Sequence, residues 1–212
     1  MLNSVLIMIG KKYRFITFEG IEGVGKSTQI LKLFNYLNQK EIPVIQSKEP
    51  GGTEFGLGLR KILLDPQMKF SSPYTEVLLF YADRLEHIQS KIKPALSSGK
   101  IVLCDRYLDS TFAYQIGGRN MPKSLIADLN KLVDLKPDLT VLFDMDLSQS
   151  LARAEKRSAL DRFEQENLDF HQRVRDAYLF LAEKEPHRVK VIKVDNLDED
   201  RVFGKLLSLL GN

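Results

Sequence analysis

The chain lacks the features that announce several protein classes. Its 212 residues hold one cysteine, Cys104, which excludes an intramolecular disulfide and suits a reducing compartment. Cys104 lies inside an apolar strand pattern and reads as a core residue. There is no tryptophan, and the three histidines (His87, His171 and His187) are too scattered to make a metal cluster. No apolar run approaches the ~20 residues of a membrane-spanning helix. Residues 5–9 are apolar but short, and neither the basic start nor the longer apolar stretch of a secretion signal is present. No repeat, low-complexity tract or dense lysine/arginine run occurs, and a net charge of +3 is too small to argue for nucleic acid. The expectation is a cytoplasmic protein whose partners are neither membrane nor nucleic acid. At 43% hydrophobic and 28% charged residues, the length fits one domain with a sizeable core. Residues 1–12 read as an N-terminal extension and 13–212 as a single domain without a linker.

What is present is concentrated at residues 15–28, FITFEGIEGVGKST. A strand pattern runs into Gly20-Ile21-Glu22-Gly23-Val24-Gly25-Lys26-Ser27, a full match to G-x-x-x-x-G-K-[ST], followed by Thr28. Glycines let successive main-chain N–H groups wrap a phosphate, and the following helix points its positive end at the same anion. Lys26 can then reach the β- and γ-phosphates, and the Ser27 hydroxyl can ligate Mg²⁺. Ile30, Leu31, Phe34 and Leu37 recur at helical spacing behind the motif. A plain strand-to-helix turn would explain the glycines but not the lysine and serine. A nucleoside triphosphate site is expected.

Further along, strands are expected at 44–46, 101–105, 139–145 and 189–195, with helices between them. The longest helix is expected at 74–96, another from 110 broken at Gly117-Gly118, and further ones at 122–133, 148–156, 163–182 and 199–209. Thr53 can cap a helix after the Glu49-Pro50-Gly51-Gly52 turn. Strands alternating with helices predict an α/β fold, a parallel five-stranded sheet covered on both faces. Asp105 ends a buried strand, where open α/β sheets place ligands, and can hold Mg²⁺; a helix-capping aspartate is the other reading. Arg106 follows it, and its planar fork suits phosphate oxygens.

GIEGVGKST, EPGGT, LLFYADR, DRY-x-x-ST-x-AYQ and a basic stretch closing on DRFE together resemble a thymidylate kinase of bacterial type, in order and spacing from about residue 15 onward. The phosphate loop alone is widely shared, whereas the other four blocks are specific. The resemblance implies the nucleoside-monophosphate-kinase fold with a lid at about 153–163. It also implies ATP as donor, dTMP as acceptor, Mg²⁺ and a homodimer. By matching position, Glu22 lies near the acceptor's sugar, and Glu49 and Arg60 shape the acceptor-phosphate end. Phe80 resembles the ring stacked on thymine and Arg84 the cation that reads its O4. Those two are four apart on a helix and share a face. Thr111 and Gln115 address the pyrimidine edge, and Tyr114 disfavours a ribose 2′-OH. In the lid, Arg157 and then Arg153 match the arginine that steadies the transferring phosphoryl group, since this loop carries none. Without the other blocks, Phe80 would read as core and the lid arginines as a solvated face.

Two readings compete. A deoxynucleoside kinase begins with a similar loop but carries an acid–arginine–serine motif, where this chain has Tyr107. A GTP-binding switch needs N-K-x-D, and Asn130-Lys131-Leu132-Val133-Asp134 has one residue too many. Transfer between two phosphates needs positioning and charge neutralisation rather than a strong base.

Overall fold

The computed structural model describes residues 12–156 and 160–211. Among them the core is a five-stranded sheet in the order β2-β3-β1-β4-β5, with every pairing parallel. Its strands are β1 (Phe15–Glu19), β2 (Val44–Lys48), β3 (Ile101–Asp105), β4 (Leu139–Asp144) and β5 (Val189–Lys193). The three central strands are continuous apolar runs because helices cover both faces. One polar pair interrupts them: the Thr17 and Thr140 hydroxyls meet at 2.8 Å inside the sheet. Neighbouring β1 and β3 send the chain in opposite directions, to β2 and β4. That divergence opens a crevice over their carboxyl ends.

The helices are α1 (Lys26–Gln39), α2 (Glu54–Leu64), α3 (Pro73–His87), α4 (Lys93–Ser97), α5 (Leu108–Thr111), α6 (Lys123–Asn130), α7 (Leu147–Glu155), α8 (Leu168–Lys184) and α9 (Glu199–Leu210). Thr53 caps α2 as expected, its side chain accepting from Gly56 N. Two stretches differ from the sequence expectation. The helix expected at 74–96 widens into a π-helical turn at Ile88–Ile92 between α3 and α4. Pro94 has no N–H to give and its ring crowds the carbonyl four residues back, so the wider turn absorbs it. The helix expected to end at the Gly117-Gly118 pair does end there, its last residues forming a π-helical segment, Phe112–Gly118. Those glycines are contacts: a Cβ on Gly117 would stand 2.6 Å from that of Ala177, and one on Gly118 would enter the Phe170 ring. The helix expected from Phe163 begins only at Leu168. Asp161 Oδ1 accepts from Phe163 N and Glu164 N at 2.8 and 3.0 Å, holding a turn there, and Asn167 caps α8.

Candidate active site

The loop after β1 turns on glycines in conformations that L-residues avoid, with φ of 76° at Gly23 and 91° at Gly25. They act differently. A Cβ on Gly23 would collide with the Ser150 main-chain oxygen, whereas one on Gly25 meets nothing within 4 Å and would fill the open mouth of the loop. Ser150 also donates its hydroxyl to the Glu22 carbonyl, so α7 is clamped to the loop at two adjacent residues. Gly23→Ala should therefore destabilise the fold by about 1–3 kcal/mol, readable as a lower urea midpoint at unchanged m.

Lys26 opens α1, and its Nζ donates to the Gly20 and Ile21 carbonyls, both at 2.8 Å. Burial, then the neighbouring Arg106, brings its ammonium down to about 8, against the pull of Asp105, Glu22 and Glu19. Ser27 Oγ donates to Asp105 Oδ2 at 3.1 Å, bringing the two candidate metal ligands together across the crevice. A hydroxyl beside a carboxylate suits Mg²⁺, which takes few protein ligands and completes its shell with water and phosphate.

Arg106 stands just past β3 with φ of 69°, rare for a side-chain-bearing residue. The strain aims its guanidinium back over the loop. Nη2 donates to Glu22 Oε1 at 2.8 Å, and Nη1 to the Ser110 and Tyr178 hydroxyls at 3.3 and 3.1 Å. Its carbon lies 5.0 Å from the Tyr114 ring centre. Burial opposes the arginine's charge, but Tyr114, Tyr178, Glu22 and Asp105 outweigh it and hold the pKa well above the usual value. Glu22 also accepts from the Tyr114 hydroxyl. Burial pushes that carboxyl up, yet Arg106, Lys26 and Tyr114 together keep it below the ordinary range. Nε and one Nη2 hydrogen of Arg106 make no hydrogen bond among the described residues, so they are available to an anion.

At the far end, Arg84 projects from α3 and is 1% exposed. Nε donates to Glu49 Oε2, Nη1 to Thr111 Oγ1 and Nη2 to the Tyr107 carbonyl, at 2.8, 2.8 and 2.9 Å. Glu49 also meets His87 Nδ1 at 2.9 Å, so His87 supports the site from the core. Asp83 Oδ1 accepts from Gly51 N at 3.1 Å and holds the EPGGT turn against α3. Burial, then Glu49, pushes the Asp83 carboxyl up to about 6. Phe80 lies one turn before Arg84, its ring 5.9 Å from that of Phe163, which meets Tyr114 edge-on at 5.6 Å. These three rings make one wall.

A cavity of about 760 Å³ joins the two ends. Glu22, Gly23, Val24, Gly25, Lys26, Ser27 and Thr28 line it, as do Glu49, Arg60, Phe80, Arg84, Asp105, Arg106, Thr111, Tyr114, Gln115 and Arg153. Gly20 and Ile21 lie beneath, holding Lys26 through their carbonyls. Glu49 and Arg60 do not pair with each other: Arg60 donates to the Pro50 carbonyl at 2.8 Å. Gln115 Nε2 donates to Glu76 Oε1 at 3.1 Å, and Arg162 of DRFE is tied to Glu76 Oε2 at 2.5 Å and to the Leu63 carbonyl. Arg153 is exposed at the rim, and Arg157 lies outside the described residues. Sequence reasoning missed Phe163, Asp161, and the wall that Val194, Leu197 and Asp198 make after β5. Phe163 had a signal in the DRFE string, and the β5 wall had only its place at a strand's carboxyl end.

The family model described as Thymidylate kinase matches residues 18–202. The chain belongs to the thymidylate kinase family. That family is one of nucleoside monophosphate kinases, and the parallel sheet with its phosphate loop is the family's fold. A thymidylate kinase of Alcanivorax borkumensis is 46% identical over 84% of this chain and 87% of its own length. One of Neisseria meningitidis serogroup B is 47% identical over 90% of this chain and 93% of its own. Among solved structures, thymidylate kinase from Ehrlichia chaffeensis superposes with a TM-score of 0.76 at 36% identity, covering 93% of this chain and 98% of that one. Among the described residues, no helix is long and apolar enough to cross a membrane.

Proposed function

We propose that the chain transfers the γ-phosphoryl group of ATP to dTMP, giving dTDP and ADP, by direct in-line displacement. The observation that carries this reading is one cavity with a phosphate loop at one end and a ring-and-guanidinium clamp at the other, Arg106 standing between. The donor's phosphates lie on the loop's main-chain N–H groups with Lys26 over them. Thymine stacks on Phe80, Arg84 offers N–H donors to its O4, and Thr111 and Gln115 frame its edge. Tyr114, drawn down onto Glu22, fills the space that a 2′-hydroxyl would need. Arg106 and Arg60 hold the acceptor phosphate. That phosphate is already anionic, so the residues' task is to neutralise crowded charge rather than remove a proton.

Ser27 and Asp105 would hold Mg²⁺, which supplies charge neutralisation on the donor's phosphates when bound. Arg153 and Arg157 belong to a lid at about 153–163 within one domain, 13–212, and Arg157 is the first choice for the arginine over the transferring group. A homodimer completes the reading. Exposed Phe55 on α2, with Tyr74 and Leu78 on α3, supports it, and light scattering tests it. The function itself is tested by turnover of dTMP, dUMP, dCMP and thymidine with ATP and Mg²⁺. dTMP should give the highest kcat/KM, and thymidine none. Thymidine turnover without dTMP turnover would make the chain a nucleoside kinase instead.

A further inference from the structure

Beneath Arg106 lies an ionisable side chain with no part in the chemistry above. Glu19, the last residue of β1, is fully buried. Its Oε1 accepts from Tyr107 N and Ser110 N at 2.8 and 3.3 Å. Its Oε2 meets the Ser110 hydroxyl at 2.6 Å and the Tyr178 hydroxyl at 2.7 Å. Those two hydroxyls are themselves 2.8 Å apart, and Arg106 Nη1 reaches both. Three oxygens therefore form a triangle with every edge at hydrogen-bond length. A guanidinium has no acceptor, so Arg106 supplies hydrogens toward the hydroxyls and takes none from them. A carboxylate brings no hydrogen either. The two hydroxyls bring one each, leaving one edge of the triangle with lone pairs face to face. A proton on Oε2 supplies the third hydrogen, so that each oxygen donates once and accepts once around the ring. Oε1, with two main-chain donors, then has the surroundings of a carboxylic acid's carbonyl oxygen.

We propose that Glu19 is held as a neutral carboxylic acid whose proton closes the ring with Ser110 and Tyr178, making it a positioning residue for Arg106. Its effect on turnover rests on the proposed role of Arg106, whereas the proton does not. With Glu19 neutral, Arg106 is hydrogen-bonded to one carboxylate, Glu22, and its remaining N–H groups stay directed at the acceptor phosphate. An ionised Glu19 would add a carboxylate behind the guanidinium and draw its charge inward. The groups facing Glu19 come from every side: Arg106 and Cys104 at the end of β3, Asp109 from α5, Tyr178 from α8 and Lys26 from α1. Asp109 is itself paired with Arg188, at 2.6 and 2.8 Å. Burial, then Asp109, pushes the Glu19 carboxyl up to about 7, against Arg106 and the bonds from Ser110 and Tyr178.

Glu19→Gln is neutral and keeps a hydrogen on every edge of the triangle, because its NH₂ donates to both hydroxyls and one hydroxyl donates to the other, although the amide nitrogen accepts none. It should keep kcat within a few-fold of the parent, whereas Glu19→Ala should lower kcat about 10²-fold by freeing the arginine. Linkage gives a second readout that needs no substrate. The folded-state value lies above the ordinary 4.5, so Glu19's contribution to stability is complete below 4.5 and lost as pH rises through about 7. The Tm of Glu19→Gln relative to the parent should therefore climb across that window. Difference infrared spectra near pH 6 should show a protonated-carboxyl C=O band in the parent that is missing from Glu19→Gln. The proposal is overturned if Glu19→Gln is as slow as Glu19→Ala, if the Tm difference is flat with pH, or if the band is absent. Should Glu19→Ala fail to fold, the infrared and Tm comparisons decide alone. Absence of dTMP turnover in the parent would defeat the functional reading and leave these two measurements standing.

Discussion

Arg106→Ala is expected to lower kcat by about 10²- to 10⁵-fold, the range seen when an arginine that neutralises a transferring phosphoryl group is removed. The geometry explains why so much depends on one side chain. Its backbone is held at a φ of 69°, and its guanidinium is fixed by Glu22, Ser110 and Tyr178, so no rotamer search precedes the reaction. Arg106→Lys should recover little, because an ammonium cannot make the divergent bonds of a planar fork. Steady-state kinetics with dTMP and ATP-Mg²⁺ provide the check, with circular dichroism to confirm folding. A kcat within a few-fold of the parent would remove Arg106 from the transfer step.

Arg84→Ala should act on the fold as well as the substrate. Arg84 and Glu49 are an ion pair whose side chains are each 2% exposed. Deleting the cation leaves the Glu49 carboxylate buried with His87 as its remaining side-chain partner among the described residues, which costs about 3–5 kcal/mol by the usual behaviour of broken buried pairs. Urea unfolding measures that loss. Adding Glu49→Gln should return part of the stability by removing the stranded charge, without restoring dTMP binding. Recovery of both would mean that Arg84 serves the fold alone. A destabilisation below about 1 kcal/mol would mean that water enters and solvates Glu49.

Much of the site could be read from sequence because phosphate chemistry imposes local spacing. The loop's glycines, lysine and serine are contiguous, and Phe80 with Arg84 depends only on one helical turn. The sheet was readable for a similar reason, since a strand covered on both faces must be apolar throughout. What escaped depended on contacts between distant residues. The Gly117-Gly118 pair reads as a helix breaker, which it is, but only the fold shows that α8 also requires the missing side chains. Asp161 looks like a lid residue until its carboxylate is found capping a single turn at Phe163, with α8 started afresh by the Asn167 cap. Glu19 reads as the polar end of a strand, and only the fold brings Ser110 and Tyr178 to the same oxygen. His87 reads in the sequence only as one of three scattered histidines, and it is the buried second partner of Glu49.

The clamp between Ser150 and the phosphate loop has a mechanical consequence for Arg153. One helical turn separates the two residues, so the guanidinium rides on a short arm whose pivot is the loop itself. Each residue inserted between Ser150 and Arg153 would swing that arm by about 100°.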